Sequence, residues 1–110
     1  MRFDIVSANQ AEMALKSGSF FRSFDICRNC LKKTPGDALL YIIMARTISR
    51  SPTAVDSWED VAEITASFLD FNRQKNIQTF SLWHTLSFIN SCLISNHFSQ
   101  SDGSLINFLK

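Results

Sequence analysis

The residues of this sequence that are best suited to chemistry are two cysteines three positions apart, Cys27 and Cys30. Their spacing is typical of a redox dithiol or of half a zinc site. They fall in the middle of a predicted helix, however, and not at a helix N-terminus, which would lower the pKa of the first thiol. The other candidate ligands, His84, Cys92 and His97, supply no second close pair. We therefore expect Cys27 and Cys30 to be small packing residues, and we expect no metal and no cofactor.

A second candidate for chemistry is His84, which lies between Phe80 and Phe88 at four-residue steps. On a helix this spacing predicts a half-buried histidine packed by aromatic rings. No Ser, Asp or Cys is placed by a motif to work with it as a nucleophile or base. The three glycines stand alone at positions 18, 36 and 103, so there is no phosphate-binding loop. We predict that the protein is not an enzyme.

The composition predicts one all-α domain over residues 1–110. Hydrophobic residues make up 45% of the chain and there are ten Phe, which is typical of an ordered globular protein. With three Gly and two Pro, few turns are signalled, and this favours a handful of long helices. An odd number of cysteines, three, and an N-terminus without the continuous apolar core of a signal peptide favour a cytoplasmic location.

The charges are unevenly distributed although the net charge is only +1, which gives no general attraction to nucleic acid or anionic lipid. Residues 1–50 contain eight Lys or Arg and four Asp or Glu. Residues 51–70 contain five acidic residues and no basic one. We expect two faces of opposite sign, which meet either within one chain or between chains.

Hydrophobic periodicity and capping residues predict five helices, at about residues 7–17, 20–33, 38–50, from 57 or 58 to 72, and 77–96. Residues 97–110 are predicted to be a C-terminal tail, with an apolar patch at 105–109. Polar residues interrupt the fifth helix too often for a membrane span. The expected helix starts and ends are marked by these residues: Ser7 with Gln10, Ser19, Asp37 and either Asp56 or Ser57 at the starts, and Gly18, Pro35 and Pro52 at or beyond the ends.

The segment 18–45 resembles a tetratricopeptide repeat, a helical hairpin of 34 residues that stacks into a solenoid. The residues that match the motif are Gly18, Phe20, Ser23, Cys27, Cys30 and Pro35, followed in the next unit by Tyr41, Met44 and Ala45. The resemblance implies a five-helix, right-handed array. In it, residues 1–50 are the best repeat-like part, and 51–96 are a degenerate repeat with a capping helix. The chain is also similar in size and pattern to the tetratricopeptide-like chaperones of bacterial secretion systems.

The resemblance implies a concave groove that holds a helix or an extended segment of another protein. Apolar positions surrounded by Arg and Lys suit an amphipathic, partly acidic segment, and self-association is a competing use of apolar surface. Leu39 and Ile42 are alternatively simple core residues. The implied groove residues are Leu39, Ile42, Arg46, Ser49 and Arg50 on the third helix, with Ala8, Glu12, Leu15 and Lys16 on the first.

An alternative function is a helical nucleic-acid-binding regulator that uses the basic face of residues 22–33. Four cations carry this face: Arg22, Arg28, Lys32 and Lys33. Four charges without a basic remainder bind nucleic acid weakly at physiological salt. A solvated helix face is the ordinary explanation of such a pattern, so we favour protein binding.

Overall fold

The computed structural model describes residues 5–72 and 80–96, which form five α-helices and one turn of 3₁₀-helix, with no strand among them. The helices are α1 (Ile5–Lys16), α2 (Phe20–Lys33), α3 (Ala38–Arg50), α4 (Trp58–Asn72) and α5 (Phe80–Asn96), and the 3₁₀ turn is Pro52–Ala54. The all-α prediction of five helices is confirmed. The predicted break at 73–76, the predicted helix start at 77–79 and the predicted tail at 97–110 lie outside the described residues.

Each helix contacts the helices that precede and follow it in the sequence, and α3 lies at the centre of the array. Helix α1 contacts α2, and α2 contacts α3. Helices two apart also contact each other, namely α1 with α3, α2 with α4, and α3 with α5. Helix α3 is therefore covered on several sides, as its nearly continuous apolar sequence predicts. Its buried residues are Leu40, Tyr41, Ile43, Met44, Ala45, Thr47 and Ile48.

The turn between α1 and α2 is a Schellman motif centred on Gly18, whose φ is 85°. The Ser19 amide donates to the Ala14 carbonyl at 2.8 Å, and the Gly18 amide donates to the Leu15 carbonyl at 3.2 Å. A side chain at φ 85° is strained, so glycine suits this position. The predicted helix end is confirmed.

Two expected caps are wrong. Ser19 precedes α2, but its side chain makes no capping hydrogen bond. The backbone amides of Gly18 and Ser19 donate hydrogen bonds to the last carbonyl groups of α1. Because this turn sets the backbone of Ser19, its φ and ψ angles differ from those of a usual N-cap residue. Ser7 cannot cap α1 because the helix begins two residues earlier, at Ile5.

The starts of α3 and α4 are capped by side chains, as predicted. The buried carboxylate of Asp37 accepts a hydrogen bond from the Leu40 amide at 3.2 Å. The Ser57 hydroxyl accepts one from the Asp60 amide at 3.2 Å. Of the two candidates for the second cap, Ser57 therefore fills the role, and Asp56 is left for contact with α2.

Two pairs of buried hydroxyl groups join consecutive helices inside the apolar core. The side-chain oxygens of Ser23 and Thr47 lie 2.8 Å apart, between α2 and α3. Because Thr47 donates its proton to the Ile43 carbonyl at 2.9 Å, Ser23 is the donor in this pair. The side-chain oxygens of Tyr41 and Thr65, also 2.8 Å apart, join α3 to α4. These bonds satisfy polar groups that would otherwise be costly to bury.

Helix α5 closes the array with Leu86, Ile89 and Leu93, all of which are buried. His84 is exposed, so the expectation of a half-buried histidine is wrong. Residues two positions apart in a helix are about 200° apart around its axis. Because Leu86 faces the core, His84 faces solvent. None of the helices that the structure describes is long and apolar enough to cross a membrane.

Candidate functional site

A groove of about 350 Å³ lies between the C-terminal halves of α1 and α3. Its lining residues are Glu12, Leu15 and Lys16 from α1 and Arg46, Ser49 and Arg50 from α3. All six belong to the set that the sequence predicts for a partner-binding groove. The two helices bring them together because α1 and α3 pack side by side, each presenting its last two turns.

The groove has an apolar floor and a mainly basic rim. Leu15 is buried and supplies the floor, whereas Lys16, Ser49 and Arg50 are exposed. A guanidinium nitrogen of Arg46, Nη1, lies 3.6 Å from Oε1 of Glu12 across the groove. The rim therefore has three cations and one carboxylate, which gives it a net positive charge.

The other predicted positions do not line this groove. Leu39 and Ile42 lie on the same side of α3 as Arg46, because four or seven residues return to nearly the same angle around a helix. Ile42 is half-buried and packs against the core, and Leu39 is partly exposed. Ala8 is buried in the core, so its expected place in the groove is wrong.

The opposite pair of helices, α2 and α4, meets in a cluster of ion pairs around Arg28. Its guanidinium contacts the Asp25 carboxylate, lies 2.6 Å from Oδ1 of Asp56 and lies 3.9 Å from a carboxylate oxygen of Asp60. The Lys32 ammonium lies 3.2 Å from the other carboxylate oxygen of Asp60. The acidic segment of residues 51–70 thus meets the basic first half of the same chain. We call this set of ion pairs the Arg28 cluster.

The Arg28 cluster holds its arginine firmly in the charged form. Partial burial works towards a lower pKa of Arg28, but the hydrogen bond and charge of Asp56, with those of Asp25, outweigh it and raise the pKa above its ordinary value. The guanidinium also lies 5.5 Å from the centre of the Phe24 ring, within the range of a cation–π contact. Two of the four cations proposed for nucleic-acid binding, Arg28 and Lys32, are thereby paired with carboxylates.

The two cysteines that could do chemistry lie on α2 and pack into the core. Cys27 is completely buried, and Cys30 is half-buried against the core. Burial, assisted by the nearby charges of Cys30 and Asp37, raises the pKa of the Cys27 thiol to about 12. Since the thiolate is the reactive and ligating form, Cys27 is inert near neutral pH. Among the described residues, no three His, Cys, Asp or Glu side chains are grouped to hold a metal ion.

The sequence patterns did not identify an apolar edge on the exposed side of α1 and the start of α2. Helix α1 packs through small residues, Ala8, Ala11 and Ala14, and its larger side chains Val6 and Met13 are exposed. Alanines at steps of three are a signal for close helix packing, and larger apolar residues between them then face outward. Phe21, at the start of α2, is exposed as well.

Comparison with known proteins finds no family model that matches this chain. It also finds no similar curated protein and no similar solved structure. The chain is therefore placed in no family. The groove between α1 and α3 and the Arg28 cluster are the features from which a function can be inferred.

Proposed function

We propose that the protein is a non-enzymatic protein-binding module, an adaptor or chaperone, which holds a helix or extended segment of another protein in the groove between α1 and α3. The observation that carries this proposal is the groove itself, with its buried Leu15 floor and the exposed cations Lys16, Arg46 and Arg50 on its rim. An open apolar floor with charges around it suits an amphipathic segment.

The register between α1 and α3 supports the tetratricopeptide-like form of this proposal. Glu12 and Arg46 contact each other across the groove and are 34 positions apart, which is the period of that repeat. The pairs Leu15 with Ser49, and Lys16 with Arg50, have the same offset and line the same groove. In this proposal α1 and α3 are equivalent first helices of two hairpins, α2 and α4 are the second helices, and α5 is the capping helix.

The chaperone form of the proposal is supported by apolar side chains left at the surface. Val6, Met13 and Phe21 are each more than half exposed, at 69%, 70% and 57%. A chaperone that shields an aggregation-prone partner needs such adaptable apolar surface, and Met and Phe are well suited to it. We propose a cytoplasmic location, which the resemblance to the small chaperones of secretion systems and the free cysteines of the described residues support.

A pair of charge reversals tests the groove. The variant Arg46→Glu with Arg50→Glu is expected to reduce the amount of co-purified partner protein at least about tenfold, because two attractive charges become repulsive. Partner proteins are quantified by mass spectrometry after affinity purification of the tagged protein. Circular dichroism checks that helicity is unchanged.

The matched control is Arg22→Glu with Lys33→Glu, which makes the same change of net charge on exposed residues of α2. Arg50 and Lys33 each stand in the last turn of their helices, so these two reversals affect the helix dipole alike, whereas Arg22 stands in the first turn of α2, where Glu is favourable. We expect the control to keep its partners. If both variants lose them equally, or neither does, the groove is not the binding site.

A further inference from the structure

Within the groove, Glu12 is the one carboxylate among six lining residues, and it faces Arg46. This pair is exposed, with 61% of the Arg46 side chain and 39% of the Glu12 side chain accessible to solvent. No carboxylate of the described residues lies within ion-pair distance of Lys16 or Arg50. The groove thus holds two cations that form no ion pair within this part of the chain and one that is partly neutralised.

We infer that the groove selects segments carrying carboxylates, and that Glu12 is an internal competitor that weakens their binding by occupying Arg46. This inference rests on the proposed function, since it specifies the partner that the same groove takes. The partner segment is amphipathic, with apolar side chains over Leu15 and with Asp or Glu side chains directed at the rim. A basic segment would instead meet three cations, Lys16, Arg46 and Arg50.

The competition follows from the geometry of one guanidinium. Nη1 of Arg46 faces Glu12 at 3.6 Å, so a partner carboxylate that approaches the same group meets a fixed negative charge beside it. A partner carboxylate bound to the same guanidinium lies close to the Glu12 carboxylate and is repelled by it, and at an exposed site this repulsion is modest. Glu12 therefore lowers the affinity for acidic segments without abolishing their binding.

Two synthetic peptides of about fourteen residues, long enough for roughly four helical turns, are suitable probes. One repeats Leu with Glu in an amphipathic pattern, and the other has Lys in place of each Glu. Binding of each labelled peptide is measured by fluorescence anisotropy at about 0.05 M and about 0.5 M salt, where surface attraction is strong and screened, respectively. We expect the Glu peptide to bind at least about tenfold more tightly than the Lys peptide at low salt, and this difference to shrink at high salt.

The variant Glu12→Gln tests the competitor. Gln keeps the size and the hydrogen-bonding oxygen of the side chain but removes its charge, so the Glu peptide should bind about threefold more tightly. The matched control is Glu63→Gln, which makes the same charge change at an exposed position of α4 that does not line this groove. The control should bind as the unaltered protein does.

Equal binding of the Glu and Lys peptides overturns charge selection, and so does failure of both to bind. An unchanged or weaker affinity of Glu12→Gln for the Glu peptide overturns the role of Glu12. The proposed function is judged separately, by the partner proteins that the variant Arg46→Glu with Arg50→Glu loses. If those partners depend on the groove and the Glu peptide fails, the function stands and this inference does not.

Discussion

Two arginines, Arg28 and Arg46, occupy comparable places in this molecule and differ in what surrounds them. Each lies between two helices that are two apart in the chain, Arg28 between α2 and α4 and Arg46 between α1 and α3. Arg28 contacts three carboxylates and only 16% of its side chain is exposed, whereas Arg46 contacts one and is 61% exposed. The charge of Arg28 is used inside the chain, and the charge of Arg46 remains available to another molecule.

The pairing of Arg28 weakens the alternative of nucleic-acid binding. The basic face of residues 22–33 contains Arg28 and Lys32, whose charges are met by Asp56 and Asp60 of the acidic segment. A phosphate would have to compete with these carboxylates. Exposed cations of this face, Arg22 and Lys33, are too few for tight binding at physiological salt. The same charge pattern that first indicates a ligand-binding face is better explained as a helix-to-helix contact.

The largest effect that we predict concerns the residue beneath Arg28. Phe24 is completely buried and its ring faces the Arg28 guanidinium, so Phe24→Ala removes core packing and support for the cluster together. We expect the free energy of unfolding to fall by about 3–5 kcal/mol. Urea denaturation followed by circular dichroism measures it.

A matched control stands three positions earlier in the same helix. The Phe21 side chain is 57% exposed, so Phe21→Ala should lower the free energy of unfolding by less than about 1 kcal/mol. Similar losses for the two variants would show that α2 does not pack as described. They would also remove the structural basis for separating the Arg28 cluster from the groove.

A smaller effect separates the two arginines directly. The variant Arg28→Met keeps much of the apolar stem but leaves Asp25, Asp56 and Asp60 without their shared cation, and we expect a loss of about 2 kcal/mol in the free energy of unfolding. The variant Arg46→Met should change it by less than about 0.5 kcal/mol, since its ion pair is exposed.

Salt concentration provides a further test of this contrast between the arginines. Urea denaturation at about 0.05 M and about 0.5 M salt measures the loss of stability caused by Arg28→Met. We expect a smaller loss at the higher salt concentration, because screening weakens both the attraction that is removed and the repulsion that remains. Equal stability losses for the two variants at low salt would contradict the contrast between the paired Arg28 and the exposed Arg46.

Local signals explain how well the helices could be predicted. Helix α3 spans the predicted residues because Asp37 caps its start and Pro52 follows its end, and both signals act within a few residues of chain. The turn at Gly18 likewise depends on one residue's tolerance of positive φ. Ser19 shows the limit of such signals, because a serine beside a helix start need not cap it when backbone amides of the preceding turn set the geometry.

The candidate site was partly predictable from the proposed repeat, which expects residues 34 positions apart on α1 and α3 to meet. Glu12 and Arg46 have this offset and contact each other. No such period predicts the Arg28 cluster, since its contacts depend on how the segment with the 3₁₀ turn positions Asp56 and Asp60. Sequence patterns therefore indicated that opposite charges would meet, but not which residues or whether within one chain.

Alkaline pH tests the core, because burial raises the pKa of the Cys27 thiol and that of the Tyr41 hydroxyl. The pKa of Cys27 is raised by burial from an ordinary value of 9.0 to about 12, so between these values the thiol ionises in the unfolded chain and not in the folded one. Its contribution to stability is complete below about pH 9 and is lost as the pH rises towards 12. Raising the pH from about 8 to about 10 should lower the free energy of unfolding by about 1.4 kcal/mol through the ionisation of this thiol in the unfolded chain.

The variant Cys27→Ala removes this thiol and should therefore show a shallower decline of stability over the same pH interval, even if its stability at pH 8 is lower. Comparing the declines and not the absolute values cancels the cost of the cavity left by the sulfur atom. Every other group that titrates in this interval is present in both proteins and therefore affects both declines equally. Equal declines in the two proteins would mean that the Cys27 thiol does not govern stability in alkali.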